Sequence, residues 1–119
     1  MSLKSLNKTQ KAAVKATDGP VLIFAGAGSG KTRVLTHKLY YLVDEGLFKP
    51  EEILAVTFTN KAAKEMKERV MKLLKANELN LSMGTFHSIC ARILREDIGV
   101  LGFSKHFAIY DFCAGVSFP

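Results

Sequence analysis

Ala25-Gly26-Ala27-Gly28-Ser29-Gly30-Lys31-Thr32 constrains this chain more than any other segment, because of what flanks it. Before it runs Val21-Leu22-Ile23-Phe24, apolar, partly β-branched and of strand length. After it, Val34, Leu35, Leu39, Leu42 and Val43 recur at helical spacing. A strand, a glycine-rich loop, Gly-Lys-Thr and a helix form the context of a phosphate-binding P-loop. The glycines let successive backbone N–H groups turn inward around a phosphate chain, where a Cβ would clash. The helix that follows adds unpaired N–H groups and the positive end of its dipole. Lys31 can then neutralise the β/γ-phosphates and the Thr32 hydroxyl can ligate Mg²⁺. The first glycine of G-x-x-x-x-G-K-[ST] is Ala25 here. An ordinary glycine turn opening a helix would not need such flanks. The chain is expected to bind a nucleoside triphosphate, or to descend from one that did.

A regular alternation surrounds this loop. Residues 6–17 read as a helix with Ser5 or Asn7 as its cap, broken by Asp18-Gly19-Pro20. A buried strand over 21–25 and a helix over 30–44 follow, with Gly46 just past the helix end. Residues 53–58 read as a second buried strand, and Asn60 as the cap of the next helix. A third strand covers 81–85, a third helix 86–96, and a fourth strand 107–110 ends at Asp111. Strand–helix–strand order predicts an α/β fold of parallel strands joined by right-handed crossovers, with helices on both faces. Ligands then gather at the carboxyl ends of the strands, so 25–32, 57–61 and 84–88 are the segments of interest.

With 119 residues, 48% of them hydrophobic, the chain is one small domain or a piece of a larger one, and not a disordered segment. No apolar run approaches the ~20 residues that span a bilayer, and no signal-peptide pattern opens it. Cys90 and Cys113 are too few and too isolated for a disulfide framework or a zinc site, so both are expected to be reduced thiols in a cytoplasmic protein.

The net charge of +6 hints at a polyanionic partner. Residues 60–75 carry Lys61, Lys64, Lys67, Arg69, Lys72 and Lys75 against Glu65 and Glu68 only, a balance of +4 on one helix. Ala62, Ala63, Met66, Val70, Leu73 and Leu74 give the same helix an apolar stripe. Most of its cations are a solvated face, and only those at its start need meet a ligand.

Two strand ends carry polar groups beside an aromatic ring: Thr57-Phe58-Thr59-Asn60-Lys61-Ala62-Ala63 and Gly84-Thr85-Phe86-His87-Ser88. Hydroxyl, ammonium and imidazole groups can hold phosphate oxygens while a ring stacks on a base of any identity. Each segment also opens a helix. Thr-Phe-Thr-Asn alone is as readily a plain helix cap, and a lone His87 a structural histidine.

Four motifs in order then resemble superfamily 1A DNA helicases of the UvrD/Rep/PcrA type. Leu6-Asn7-Lys8-Thr9-Gln10 is similar to the family's Q motif, L-N-x-x-Q; Ala25 to Thr32 to motif I, alanine included; Thr57 to Ala63 to motif Ia; and Gly84 to Ser88 to motif Ib. The resemblance implies a three-layer P-loop NTPase (RecA-like) parallel sheet, incomplete here. Residues 1–111 would be part of the first RecA-like domain and 112–119 an off-pattern tail. By the same resemblance ATP and Mg²⁺ are the cofactors. Gln10 reads the adenine edge as a bidentate amide, and Arg33 lies against its face. Lys31 and Thr32 serve the phosphates and the metal. Phe58, Asn60, Thr85 and His87, with Thr57, Thr59 and Lys61 around them, line the path of single-stranded DNA. The implied parent is a 3′-to-5′ translocase that couples ATP hydrolysis to separation of duplex DNA, as DNA repair demands.

The family's hydrolytic step needs an acidic D-E-x-Q-D motif, and arginines from a second RecA-like domain. The D-E-x-Q-D motif does not occur in this sequence. Residues 107–111 imitate such a strand, but in the family an I-Y-D segment leads into an inserted subdomain, which makes Asp111 structural. Residues 112–119 carry no charge and fit a frameshifted, truncated or artificial end. The chain alone is expected to bind nucleotide without hydrolysing it or unwinding DNA. Surfaces meant for the missing remainder of the helicase would leave it prone to self-association. The competing expectation is a self-standing small P-loop phosphotransferase or NTPase using Asp111 as its Mg²⁺-linked acid. Such a kinase would need lid arginines, for which only Arg92 and Arg95 offer themselves, on a helix.

Overall fold

The computed structural model describes residues 2–111 and 115–117. Among them a 3-10 turn (Ser2–Ser5) leads into α1 (Lys8–Lys15), followed by α2 (Lys31–Asp44), β1 (Leu54–Thr57), α3 (Asn60–Leu74), β2 (Ser82–Thr85) and α4 (Phe86–Asp97). A short hairpin, β3 (Ile109–Asp111) and β4 (Gly115–Ser117), closes the described chain.

β1 and β2 pair in parallel, Leu54 with Ser82 through Thr57 with Thr85. Successive side chains of a strand point to opposite faces. Ala55 and Met83 accordingly join the main core with Leu39 of α2 and Met66 and Val70 of α3. On the other face, a Cβ at Gly84 would stand 2.6 Å from Ser88 Oγ and 3.4 Å from Ile89 Cδ1, so α4 packs where only glycine leaves room. Helices thus cover both faces of the parallel pair, as the alternation of elements predicts. A second cluster, Leu6, Val14 and Val34, seats α1 against α2.

Helix boundaries follow local chemistry. Asn7 caps α1 in a capping box: its side chain accepts from Gln10 N–H at 2.8 Å, while Asn7 N–H donates to Gln10 Oε1 at 3.1 Å. The cap of α3 is Thr59 rather than the expected Asn60; its hydroxyl accepts from Ala62 N–H at 3.1 Å, and Asn60 is the first helical residue. Gly46 sits at φ 65° just beyond α2 and ends it as expected.

Two strand expectations are corrected. Residues 21–25 form no strand and are not buried: Leu22 is 80% and Phe24 92% exposed. A strand exists only when a neighbour supplies the other half of its ladder, and no described strand pairs with residues 21–25. The fourth strand is β3, and it joins no parallel sheet but pairs antiparallel with β4, Ile109 opposite Ser117. Residues 112–114, 118 and 119 of the expected off-pattern tail lie outside the described residues, Cys113 among them. No helix among the described residues is long and apolar enough to cross a membrane.

Candidate functional site

The glycine loop runs from Ala25 to the first turn of α2. Gly28 (φ 76°) and Gly30 (φ 84°) occupy the left-handed region that a side chain disfavours. Ser29 N–H and Oγ both turn onto the carbonyl of Gly26, which closes the loop on itself. α1, α3 and α4 each begin with a side chain, from Asn7, Thr59 and Thr85, accepting from the first turn. α2 begins at Gly30 with no such cap. Its first-turn N–H groups and dipole therefore face the loop uncompensated, the electrostatic condition for holding an anion.

Gln10 reaches this loop from α1. Its Nε2 donates to the carbonyl of Ser29 at 3.4 Å, and a Cβ on Gly30 would come within 3.1 Å of that nitrogen. Gln10, Ala25, Ser29 and Lys31 line one cleft of about 180 Å³. Lys31 and Thr32 are exposed at its helical edge. The sequence-predicted base reader and phosphate binder are thus brought together, 21 positions apart in the chain.

Arg33 is not part of that cleft. It lines a second one, of similar size, between α2 and α3 with Thr36, His37, Arg69, Lys72 and Leu73. Residues two apart on a helix point in nearly opposite directions, so Arg33 cannot share a face with Lys31. His37 Nδ1 donates to the Arg33 carbonyl at 2.7 Å and the Thr36 hydroxyl to that of Thr32 at 2.7 Å.

The other candidate residues meet at the carboxyl end of the parallel pair. Thr57 and Thr85 are register partners, so α3 and α4 start side by side. Phe58 and Phe86 touch across this end, ring centroids 5.3 Å apart and planes inclined by 42°. Asn60, Lys61 and His87 are exposed beside them. The threonines have structural duties as well. Thr57 donates to Thr59 C=O at 2.9 Å, and Thr85, buried, accepts from Ser88 N–H and donates to Ser88 Oγ, both at 3.1 Å. Phe86, read in the sequence as the ring of its segment but not among the residues the resemblance implies for the strand path, stands directly after the Thr85 cap, as Phe58 stands directly before the Thr59 cap.

A family model, the UvrD/REP helicase N-terminal domain, matches residues 6–116. The chain belongs to that family. Among curated relatives it is 56% identical over 109 residues to ATP-dependent DNA helicase PcrA of Staphylococcus aureus (strain Mu50 / ATCC 700699) and to that of Bacillus subtilis (strain 168). The counterpart in Staphylococcus epidermidis is 55% identical over the same length. Each match covers 92% of this chain and 15% of the relative. The Q-type glutamine, the glycine loop and the paired strand ends of this UvrD/REP domain thus fall within the matched segment.

Two features bear on the phosphotransferase alternative. The strand bearing Asp111 pairs antiparallel with β4 and is not a strand of the parallel pair. Arg95, one of its two candidate lid arginines with Arg92, lies over the ring of Phe107, 5.3 Å from the centroid.

Proposed function

We propose that this chain is the nucleotide-binding and strand-gripping segment of the first RecA-like domain of an ATP-dependent, 3′-to-5′ DNA helicase. The observation that carries the proposal is the shared cleft of Gln10, Ser29 and Lys31 beside the uncapped start of α2. A triphosphate fits there: the first-turn amides and Lys31 meet its charge, and the Gln10 amide meets a base edge. Thr32, next to Lys31, would hold the Mg²⁺ that accompanies the phosphates. Single-stranded DNA would cross the carboxyl end of β1 and β2, bases against Phe58 and Phe86 and phosphates against Lys61, Asn60 and His87. Duplex DNA is the substrate of the whole enzyme, in the cytoplasm.

Binding without hydrolysis is the behaviour proposed for the 119 residues alone, since the sequence holds no D-E-x-Q-D acid to position water. An NMR titration of the chain with Mg-ATP tests the reading. Saturable shifts centred on residues 25–33 and abolished by Lys31→Ala support it. Shifts that persist in Lys31→Ala, or none at all, sink it.

A further inference from the structure

We infer that Lys38 is a positioning residue for base recognition, holding the far end of α1 so that Gln10 stays over the glycine loop. This rests on the nucleotide-binding reading above and adds a residue that no motif in the chain includes. α1 has only eight residues, too few to be stable by its own hydrogen bonds. Its placement depends on what grips its ends. At the start, the Gln10 amide is held on both sides, Oε1 by Asn7 N–H and Nε2 by Ser29 C=O.

At the other end, the last carbonyls of a helix have no partner within it. Here Lys38, from the middle of α2, donates its ammonium to Ala13 C=O at 3.2 Å and more closely to Ala16 C=O. A cation there also compensates the negative end of the α1 dipole. Lys38 is half-buried, so these charge-assisted bonds are shielded from water on one side.

Lys38 lies seven residues after Lys31, two turns along the same face of α2. Val34 sits between them and packs with Leu6 and Val14. One face of α2 therefore bears the phosphate-binding lysine at its start and the anchor of α1 two turns on. Without the anchor, α1 is held by the apolar contact and by Gln10 itself, and the amide is free to drift. A bidentate base contact does not survive misplacement of about half an ångström. The grip of Lys31 on phosphate belongs to α2 and the loop and does not pass through α1.

The separation of the two ends is the test. Mg-ATP, Mg-inosine triphosphate (6-oxo in place of the 6-amino group) and Mg-tripolyphosphate are titrated into the 119-residue chain and followed by NMR. The unaltered chain prefers ATP to inosine triphosphate. Lys38→Met lowers ATP affinity by about tenfold, to the level of inosine triphosphate, with tripolyphosphate binding unchanged. Lys38→Arg, which keeps the charge and the donors, restores the preference. Should Lys38→Met not fold, Lys38→Gln replaces it, and a reduced ATP preference is expected. A Met or Gln variant with the full preference overturns the inference, as does equal loss of tripolyphosphate binding. An unaltered chain that binds tripolyphosphate but shows no preference for ATP overturns it too, while leaving the phosphate site standing. No binding of any of the three overturns the nucleotide-binding reading itself.

Discussion

Phe58 and Phe86 close the ends of two adjacent parallel strands with their rings 5.3 Å apart, although 28 residues separate them in sequence. Phe58 is 89% and Phe86 49% exposed, so little of this pair serves the core. Stacking on a base is worth about 1–3 kcal/mol per ring. Phe58→Ala is expected to weaken binding of oligothymidylate by about that amount, measured by fluorescence anisotropy, with the thermal midpoint nearly unchanged. Unaltered affinity would remove the ring from the strand path.

Thr59, not Asn60, satisfies the first turn of α3. Thr59→Ala should cost about 1 kcal/mol, a fall of roughly 4 °C in melting temperature for a domain of this size. Asn60→Ala should cost a few tenths at most. If the two variants melt in the opposite order, the cap has been assigned to the wrong residue.

How far the sequence foretold this depends on whether the deciding interactions are local. The capping box of α1 is legible as Asn followed three residues later by Gln, and α2, α3 and α4 as apolar stripes between caps and breakers. The separation of Arg33 from the Lys31 face of α2 was legible too, since two residues on a helix cover about 200° of arc. Val21 to Phe24 has the composition of a buried strand, yet burial needs a partner strand that composition does not supply. The same holds for β3: its apolar run is visible, but its antiparallel partner at 115–117 is a tertiary choice.

The Tyr40 hydroxyl donates to Asp44 Oδ2 at 2.7 Å, and that bond, with burial and the nearby carboxylates of Asp44 and Glu45, raises its pKa above the ordinary tyrosine value of 10.0. A phenol whose folded pKa is raised stabilises the fold fully below its unfolded pKa, and that contribution is lost as pH climbs through the folded value. Urea unfolding at a series of pH values should show stability falling above pH ~10, with a shallower fall in Tyr40→Phe. Identical alkaline slopes would show that the phenol is not linked to folding.

Leu22 and Phe24 expose apolar side chains on a segment with no strand beside it among the described residues. Such a surface favours pairing with another chain. Light scattering coupled to size exclusion should show mass rising with concentration, and Leu22→Lys with Phe24→Lys should return the 13.1 kDa monomer. A monomer at every concentration would contradict this.

The glycine loop is braced on one flank only: α2 holds it from behind, while residues 20–26 lead into it without a ladder of their own. On the proposed function, a phosphate chain would therefore meet a loop whose leading flank has no ladder among the described residues to hold it. Part of the free energy of nucleotide binding would then go into ordering that flank, an entropic opposition that calorimetry reads directly. On that reading, a strand laid against residues 20–26 would tighten nucleotide binding without touching the nucleotide.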